Sequence, residues 1–350
     1  MRIRASGQSL KEQWLALKAA DAKLKPKDGA DALGVSEAEI LAVIADADAT
    51  VRLDGDVQEI ARRMIELGET ISLTRNDSVV IERLSPFRRA ALYGGGRGML
   101  FKGTAELHVN FNHWRHAFAT VVKAGEREMA SLQFFDIDGS AVHKVYLRDK
   151  SNRAAYDDIV SAFRAADQNI ELKTLPLPAP TPHRTPPGFN PAVFLAHWGA
   201  LLYPSLFDTF LTRFAVSRIG ALDCAKGHFA RELDPAAFRG VFDRLAEIKI
   251  PFTASAGNWG CRQECHVTID SANESGPFIN AHEEAFHMHV RKDRLARLFA
   301  VTLPSRHGAV TQLELYGPDG SLSAFLSSPK ESLDDDRDEW RALIADLPGR

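Results

Sequence analysis

In the stretch AHEEAFHMHVRKD, His287 and His289 alternate with Phe286, Met288 and Val290. A strand would put both imidazoles on one face and the apolar side chains on the other. Two imidazoles so placed can grip one metal ion or one anionic ligand, and a face turned to water accounts for the same pattern. TAELHVNFNHW repeats the arrangement earlier in the chain, with His108 and Asn110 opposed to Leu107, Val109 and Phe111. A second kind of chemistry is suggested by HWGALLYPSLFDTFLTRFAVSR at 197–218, which has a helix-like apolar pattern, five aromatic residues, and arginines at 213 and 218. It has the make-up of a ligand-pocket wall and equally of a packed helix. Cys261, Cys265 and His266 look less promising: on a strand the thiols face one way and the imidazole the other, and no second cysteine pair follows. Buried thiols beside a histidine are the simpler account. GxSxG, HExxH and GxxxxGK[ST] are absent, and GGGRG at 94–98 lacks the helix start of a phosphate cradle, so it is expected to be a surface loop.

The elements that must position these residues fall into two sets. LPLPAPTPHRTPPGF, residues 175–189, has six prolines, which remove amide donors and fix φ, so it should be an extended connector between residues 1–174 and 190–350. The flanking parts resemble each other. SLQFFDIDGSAVHKVYL and QLELYGPDGSLSAFL each alternate around an Asp-Gly turn, and Gly139 and Gly320 stand 181 positions apart, as do Phe118 and Phe299. Each half therefore predicts helices, a strand pair, a middle strand with a short helix, an Asp-Gly hairpin and a terminal helix. Ser36 before Glu39 makes a capping box, Gly68 ends a helix carrying Ile60, Met64 and Leu67, and Asp234-Pro235 starts another. Asn76-Asp77 and Gly257-Asn258 mark hairpin turns.

A chain of 350 residues with a formal charge of -3 is large enough for two cores and carries no basic field for nucleic acid. The apolar runs are broken by His, Gly and Pro, so no membrane span is expected, and MRIRASGQSLKEQW does not resemble a secretory signal. Three cysteines make no disulfide framework, and a cytoplasmic location is the expectation.

GADALGVSEAEILA, SLTRND, HWRHAFA, SLQFFDIDGSAVHKVYL, GNWGC and VTQLELYGPDG, in this order in a duplicated chain, resemble the bacterial family of cytoplasmic hemin-degrading factors and haem-trafficking proteins. The resemblance covers nearly the whole chain. It implies an α+β fold of tandem halves, each a large curved antiparallel sheet flanked by helices, with haem as cofactor in a cleft between them. It also implies a histidine ligand to iron on a second-half helix, between positions matching Trp198 and Phe207, where this chain has Ser205. Further departures are Ile81, His108 and Leu303 at positions where the family carries His, Arg and Lys, and a loosely aligned arginine replaced within FLSSPK; Arg218 matches the family's arginine on the pocket helix. A serine hydroxyl is a poor ligand for ferric haem, and lost cations weaken propionate binding.

Several outcomes stay open on this basis. Tyr203 could supply a phenolate to the metal, with Pro204 rotating it inward; His108, His287 or His289 could ligate from a sheet; or the ligand is another planar anion or none. The resemblance implies haem binding or trafficking, with ring opening by external reductant or a divergent non-haem role as alternatives, and a haem importer or haem oxygenase as partner.

Overall fold

The structure, a computed structural model, describes residues 9–46, 49–124, 127–179, 184–328 and 334–350. The N-terminal MRIRASGQ, Pro180 and Pro182 of the connector, and Pro329 and Lys330 of FLSSPK lie outside the described residues. The chain opens with α1 (Leu10–Ala20), α2 (Pro26–Leu33), α3 (Glu37–Ile44), β1 (Thr50–Leu53) and α4 (Val57–Arg63). There follow β2 (Gly68–Arg75), β3 (Val79–Pro86), β4 (Arg89–Tyr93), β5 (Arg97–Lys102), β6 (Ala105–Asn110), β7 (His116–Ala124), β8 (Arg127–Phe135), β9 (Ala141–Ser151) and α5 (Arg153–Phe163). After the connector come α6 (Pro191–Gly199), α7 (Phe207–Arg213), α8 (Arg218–Cys224), β10 (Ala230–Leu233), α9 (Phe238–Ile248), β11 (Phe252–Gly257) and β12 (Cys261–Val267). The chain closes with β13 (Ser271–Ser275), β14 (Phe278–Glu283), β15 (Phe286–Arg291), β16 (Arg297–Leu303), β17 (Val310–Tyr316), β18 (Leu322–Ser327) and α10 (Asp334–Ala345).

The result is an α+β fold with two nine-stranded antiparallel sheets flanked by helices. Two compact units divide the chain: residues 1–75, 82–178 and 258–263 form the first, and 76–81, 179–257 and 264–350 the second. In the first unit the strand order is β1-β7-β8-β9-β2-β3, with a second run β12-β6-β5-β4. In the second unit it is β10-β16-β17-β18-β11-β12, with a second run β3-β15-β14-β13.

Duplication reaches the level of register. Ala119 pairs with Leu132 and Leu132 with Val145, while 181 positions later Ala300 pairs with Leu313 and Leu313 with Leu326. Met99 opposite His108 likewise matches Asn280 opposite His289. Ser36 caps α3 and Ser217 caps α8, again 181 positions apart. Both Asp-Gly hairpins place glycine at positive φ, 77° at Gly139 and 78° at Gly320, a conformation that costs a side-chain-bearing residue a Cβ clash. Capping boxes form at Ser9 and Ser36, and Ile60, Met64 and Leu67 are buried as their spacing requires.

The motif asparagines close their hairpins from within. Asn76 accepts from the Ser78 and Val79 amides and donates to the carbonyls of Gly257 and Ser323. Asn258 accepts from the Gly260 and Cys261 amides and donates to the carbonyls of Arg75 and Val142. Each amide saturates backbone groups that would otherwise be buried unpaired.

One expectation needs correction. Residues 197–218 are not one helix but the end of α6, a 3-10 turn at Pro204–Leu206, α7 and the start of α8. GGGRG is the surface end of the β4–β5 hairpin, with Gly94 and Gly95 exposed and Arg97 already in β5.

Candidate functional site

Pro191 stands in the first turn of α6, where its missing N–H costs nothing, and the Asn190 side chain caps the Val193 amide. The helix buries Phe194 and Trp198, which join Phe207, Phe210, Phe214 and Phe229 in a contiguous aromatic cluster. Trp198 donates its indole N–H to the Thr302 carbonyl at 3.0 Å, so the wall is anchored to β16. Pro204 then starts a new turn instead of interrupting a helix, and Tyr203 before it is extended at φ -137°, ψ 109°. Tyr203 and Ser205 therefore do not share a continuous helix, and the expected two-residue helical offset between them does not apply. The aromatic cluster faces inward, whereas Leu202, Tyr203, Ser205 and Leu206 are exposed, Tyr203 to 44%.

A tether from the β16–β17 connection meets this exposed strip. The Arg306 amide donates to the Leu202 carbonyl at 3.2 Å, its guanidinium lies 5.3 Å over the Tyr203 ring, and Nη1 donates to the phenolic oxygen at 3.3 Å. Arg306 Nε also donates to His307 Nε2 at 2.8 Å. Neither Arg306 nor His307 carries a motif; only their distance from Tyr203 in the fold marks them.

Arg218 is the first residue of α8, an end that disfavours a cation because of the helix dipole. Two carboxylates offset this. Nη2 and Nε make a fork to Glu314 at 2.6 and 3.0 Å, and Nη1 reaches Asp208 at 2.7 Å. The Tyr316 hydroxyl donates to the same Glu314 carboxylate. Burial works against the guanidinium charge, but Glu314 and the other acidic neighbours hold it protonated well above the ordinary arginine range. Arg218 also covers Phe207, two positions beyond Ser205, with its guanidinium 4.8 Å from the ring centroid.

The sheet histidines sit on polar faces, as their alternation predicts. β6 and β15 both alternate buried and half-buried residues, with Leu107, Val109, Phe286, Met288 and Val290 in the core. His108, in the first unit, lies 3.6 Å from Glu106. In the second unit the β14–β15 register sets His282 opposite His287 and Asn280 opposite His289. The three imidazoles have ring centroids 5.1, 6.0 and 6.2 Å apart. Burial, then the neighbouring imidazoles His282 and His287, push His289 down to about 4, and burial and His287 lower His282. The grouping of His282 with the other two was not evident from spacing, because it depends on the hairpin register.

The strand thiols are buried in this setting. Cys261 and Cys265 are buried, and burial pushes Cys261 up to about 12. Cys261 packs near Thr74 and His143, while His266 turns the other way to meet Thr253 at 2.8 Å. Of the residues expected at the site, the structure groups Tyr203 and Ser205 in one strip, puts Arg218 behind it on Phe207, and pairs His287 with His289 on a separate strand face.

Known proteins align along the whole chain. Residues 34–163 and 215–347 match the Haemin-degrading HemS.ChuX domain, one match in each half. The hemin transport protein HemS of Yersinia enterocolitica is 27% identical over 340 residues, with 97% of both chains covered. The solved structure of holo-PhuS, a heme-binding protein from Pseudomonas aeruginosa, superposes with a TM-score of 0.90 at 29% identity, covering 97% of this chain and 98% of that one. The heme-degrading enzyme ChuS of Escherichia coli O157:H7 gives 0.85 at 25% identity, with 97% and 98% covered. Among the described residues no helix is long and apolar enough to cross a membrane. With a domain match in each half and relatives aligned over 97% of its length, the chain belongs to the haemin-degrading HemS/ChuX family.

Proposed function

We propose that this chain binds ferric haem as a carrier protein of haem utilisation and takes its iron ligand from Tyr203. The observation that supports this most is the exposed phenolic oxygen of Tyr203, two positions from Ser205 and held by Arg306. Serine is a poor ligand to ferric iron, whereas a phenolate is a known one, so the residues present fit haem through Tyr203 rather than Ser205. Leu202 and Leu206 offer apolar contact to a porphyrin face on either side. Arg218, already forked to Glu314, would act by holding Phe207 and the strip in place more than by meeting a propionate. His108, His287 or His289 is the alternative donor to the same cargo.

Bound haem would supply iron-centred redox chemistry, and ring opening would need an external reductant and an oxidant. Carriage is favoured over degradation because the family's histidine position holds Ser205. The partner would then be a haem importer on one side and a haem oxygenase on the other. Hemin titration of the purified chain followed by absorption tests the proposal. One-to-one saturation with a phenolate-to-iron charge-transfer band that Tyr203→Phe removes is the expected result. Unsaturable binding by the native chain would overturn it; saturation with a band insensitive to Tyr203→Phe would move the ligand to the sheet histidines.

A further inference from the structure

The β16–β17 ladder stops short of its duplicate. In the first half the β7–β8 pairing runs out to Ala124 opposite Arg127, whereas the matching Ser305 and Gly308, 181 positions on, are out of a ladder whose last pair is Leu303 opposite Val310. The turn residues differ too, Gly125-Glu126 in the first half and Arg306-His307 in the second. The released turn is fastened elsewhere, by the Arg306 amide on the Leu202 carbonyl at 3.2 Å and the His307 amide on the Ser305 hydroxyl at 3.2 Å. It sets Arg306 Nη1 3.3 Å from the Tyr203 oxygen. Among the described residues no carboxylate pairs with Arg306; its guanidinium meets the phenol and His307 Nε2. Arg218 differs in this respect, because Glu314 and Asp208 already answer its charge.

We infer that Arg306 is the counter-ion of a Tyr203 phenolate and makes the site selective for trivalent over divalent metalloporphyrins. The inference rests on the reading of Tyr203 as the iron ligand. When Tyr203 replaces an axial water on ferric haem, the Fe–OH2 and phenolic O–H bonds break, the Fe–O bond forms, and the proton leaves on the released water. The ferric porphyrin core carries one positive charge, which the phenolate cancels, and Arg306 holds that phenolate by a charge-assisted hydrogen bond. A divalent metal leaves the core neutral, so coordination gains little from giving up the phenolic proton and Arg306 has no anion to meet. Tyr203 and Arg306 are both exposed, and a porphyrin seated on the strip displaces water from the pair, which strengthens their attraction. Arg306 is thus a positioning residue, acting on the metal through the ligand oxygen.

The test titrates the full chain with ferric and gallium(III) protoporphyrin across a range of pH, with zinc(II) protoporphyrin as the divalent probe. Arg306→Gln should weaken both trivalent porphyrins about 10-fold to 100-fold and leave the zinc porphyrin unchanged. It should also move the onset of the ferric phenolate band to higher pH, since the phenolate loses its counter-ion. Arg306→Lys should recover part of both effects. His307→Gln keeps an acceptor for Arg306 Nε and removes the one other titratable side chain bonded to this pair among the described residues, so its onset should follow the native chain. Near-UV circular dichroism monitors folding. An equal loss for all three porphyrins would overturn the inference in favour of a propionate contact. An onset unchanged in Arg306→Gln, with the Tyr203-dependent band intact, would overturn it while leaving Tyr203 as the ligand. A ferric band insensitive to Tyr203→Phe would overturn both readings together.

Discussion

Arg218 grips Glu314 in a two-point fork, Nη2 to Oε1 at 2.6 Å and Nε to Oε2 at 3.0 Å, across 96 positions of sequence. At the equivalent helix start in the first half the polarity is reversed. Glu37 is the first residue of α3 and is held by Lys144 at 2.6 Å and Arg75 at 2.5 Å. An acid suits a helix N-terminus, so Glu37 needs its cations only to offset burial, whereas Arg218 needs its carboxylates for both reasons. Glu314 is fully buried and Asp208 is mostly exposed. Glu314→Gln should therefore cost about 3 kcal/mol in urea unfolding. Asp208→Asn should cost less than about 1 kcal/mol in the same measurement, because solvent already screens it.

The two Asp-Gly hairpins share a backbone but not a neighbourhood. A Cβ on Gly139 would stand 2.0 Å from the Ser36 hydroxyl that caps α3, while one on Gly320 would meet nothing within 4 Å. Gly320→Ala should lose about 1–2 kcal/mol from the left-handed backbone alone. Gly139→Ala should lose about 1–3 kcal/mol more, because the cap must shift as well. Thermal melts of the two variants side by side check the difference, and equal losses would refute the proposed contact.

Acid should destabilise the first unit through His143. This imidazole is buried between Trp114, Thr74 and Cys261, and burial followed by the Lys102 charge pushes it down to about 3. A histidine depressed in the folded state leaves the unfolded chain binding more protons between pH 3 and 6.5, so stability is complete above 6.5 and falls as pH drops. One such group gives a slope of about 1.4 kcal/mol per pH unit. Denaturant unfolding at pH 7, 6, 5 and 4 should show that slope in the native chain and a shallower one, by about one proton, in His143→Gln.

Ser205→His restores an imidazole to the strip beside Tyr203. It should tighten hemin binding about tenfold or more and replace the phenolate band by a histidine-ligated spectrum. A Ser205→His chain spectroscopically identical to the native one would place the haem iron elsewhere.

Duplication, hairpin turns and strand faces were legible in the sequence because each is set by local chemistry. Asp-Gly and Asn turns, serine caps and period-two alternation act over a few residues, and they placed His287 with His289 and opposed His108 to Leu107 and Val109. The break at Pro204 was harder. Proline tolerates the first position of a new turn as readily as it disrupts an old one, and the apolar spacing of 197–218 is the same in both cases. Only the tertiary structure decided what each polar group meets. Glu314 on Arg218, Arg306 on Tyr203 and His282 facing His287 depend on which strands and connections lie side by side. Those pairings come from burial of the whole core, a sum over many distant residues that no short stretch of sequence encodes.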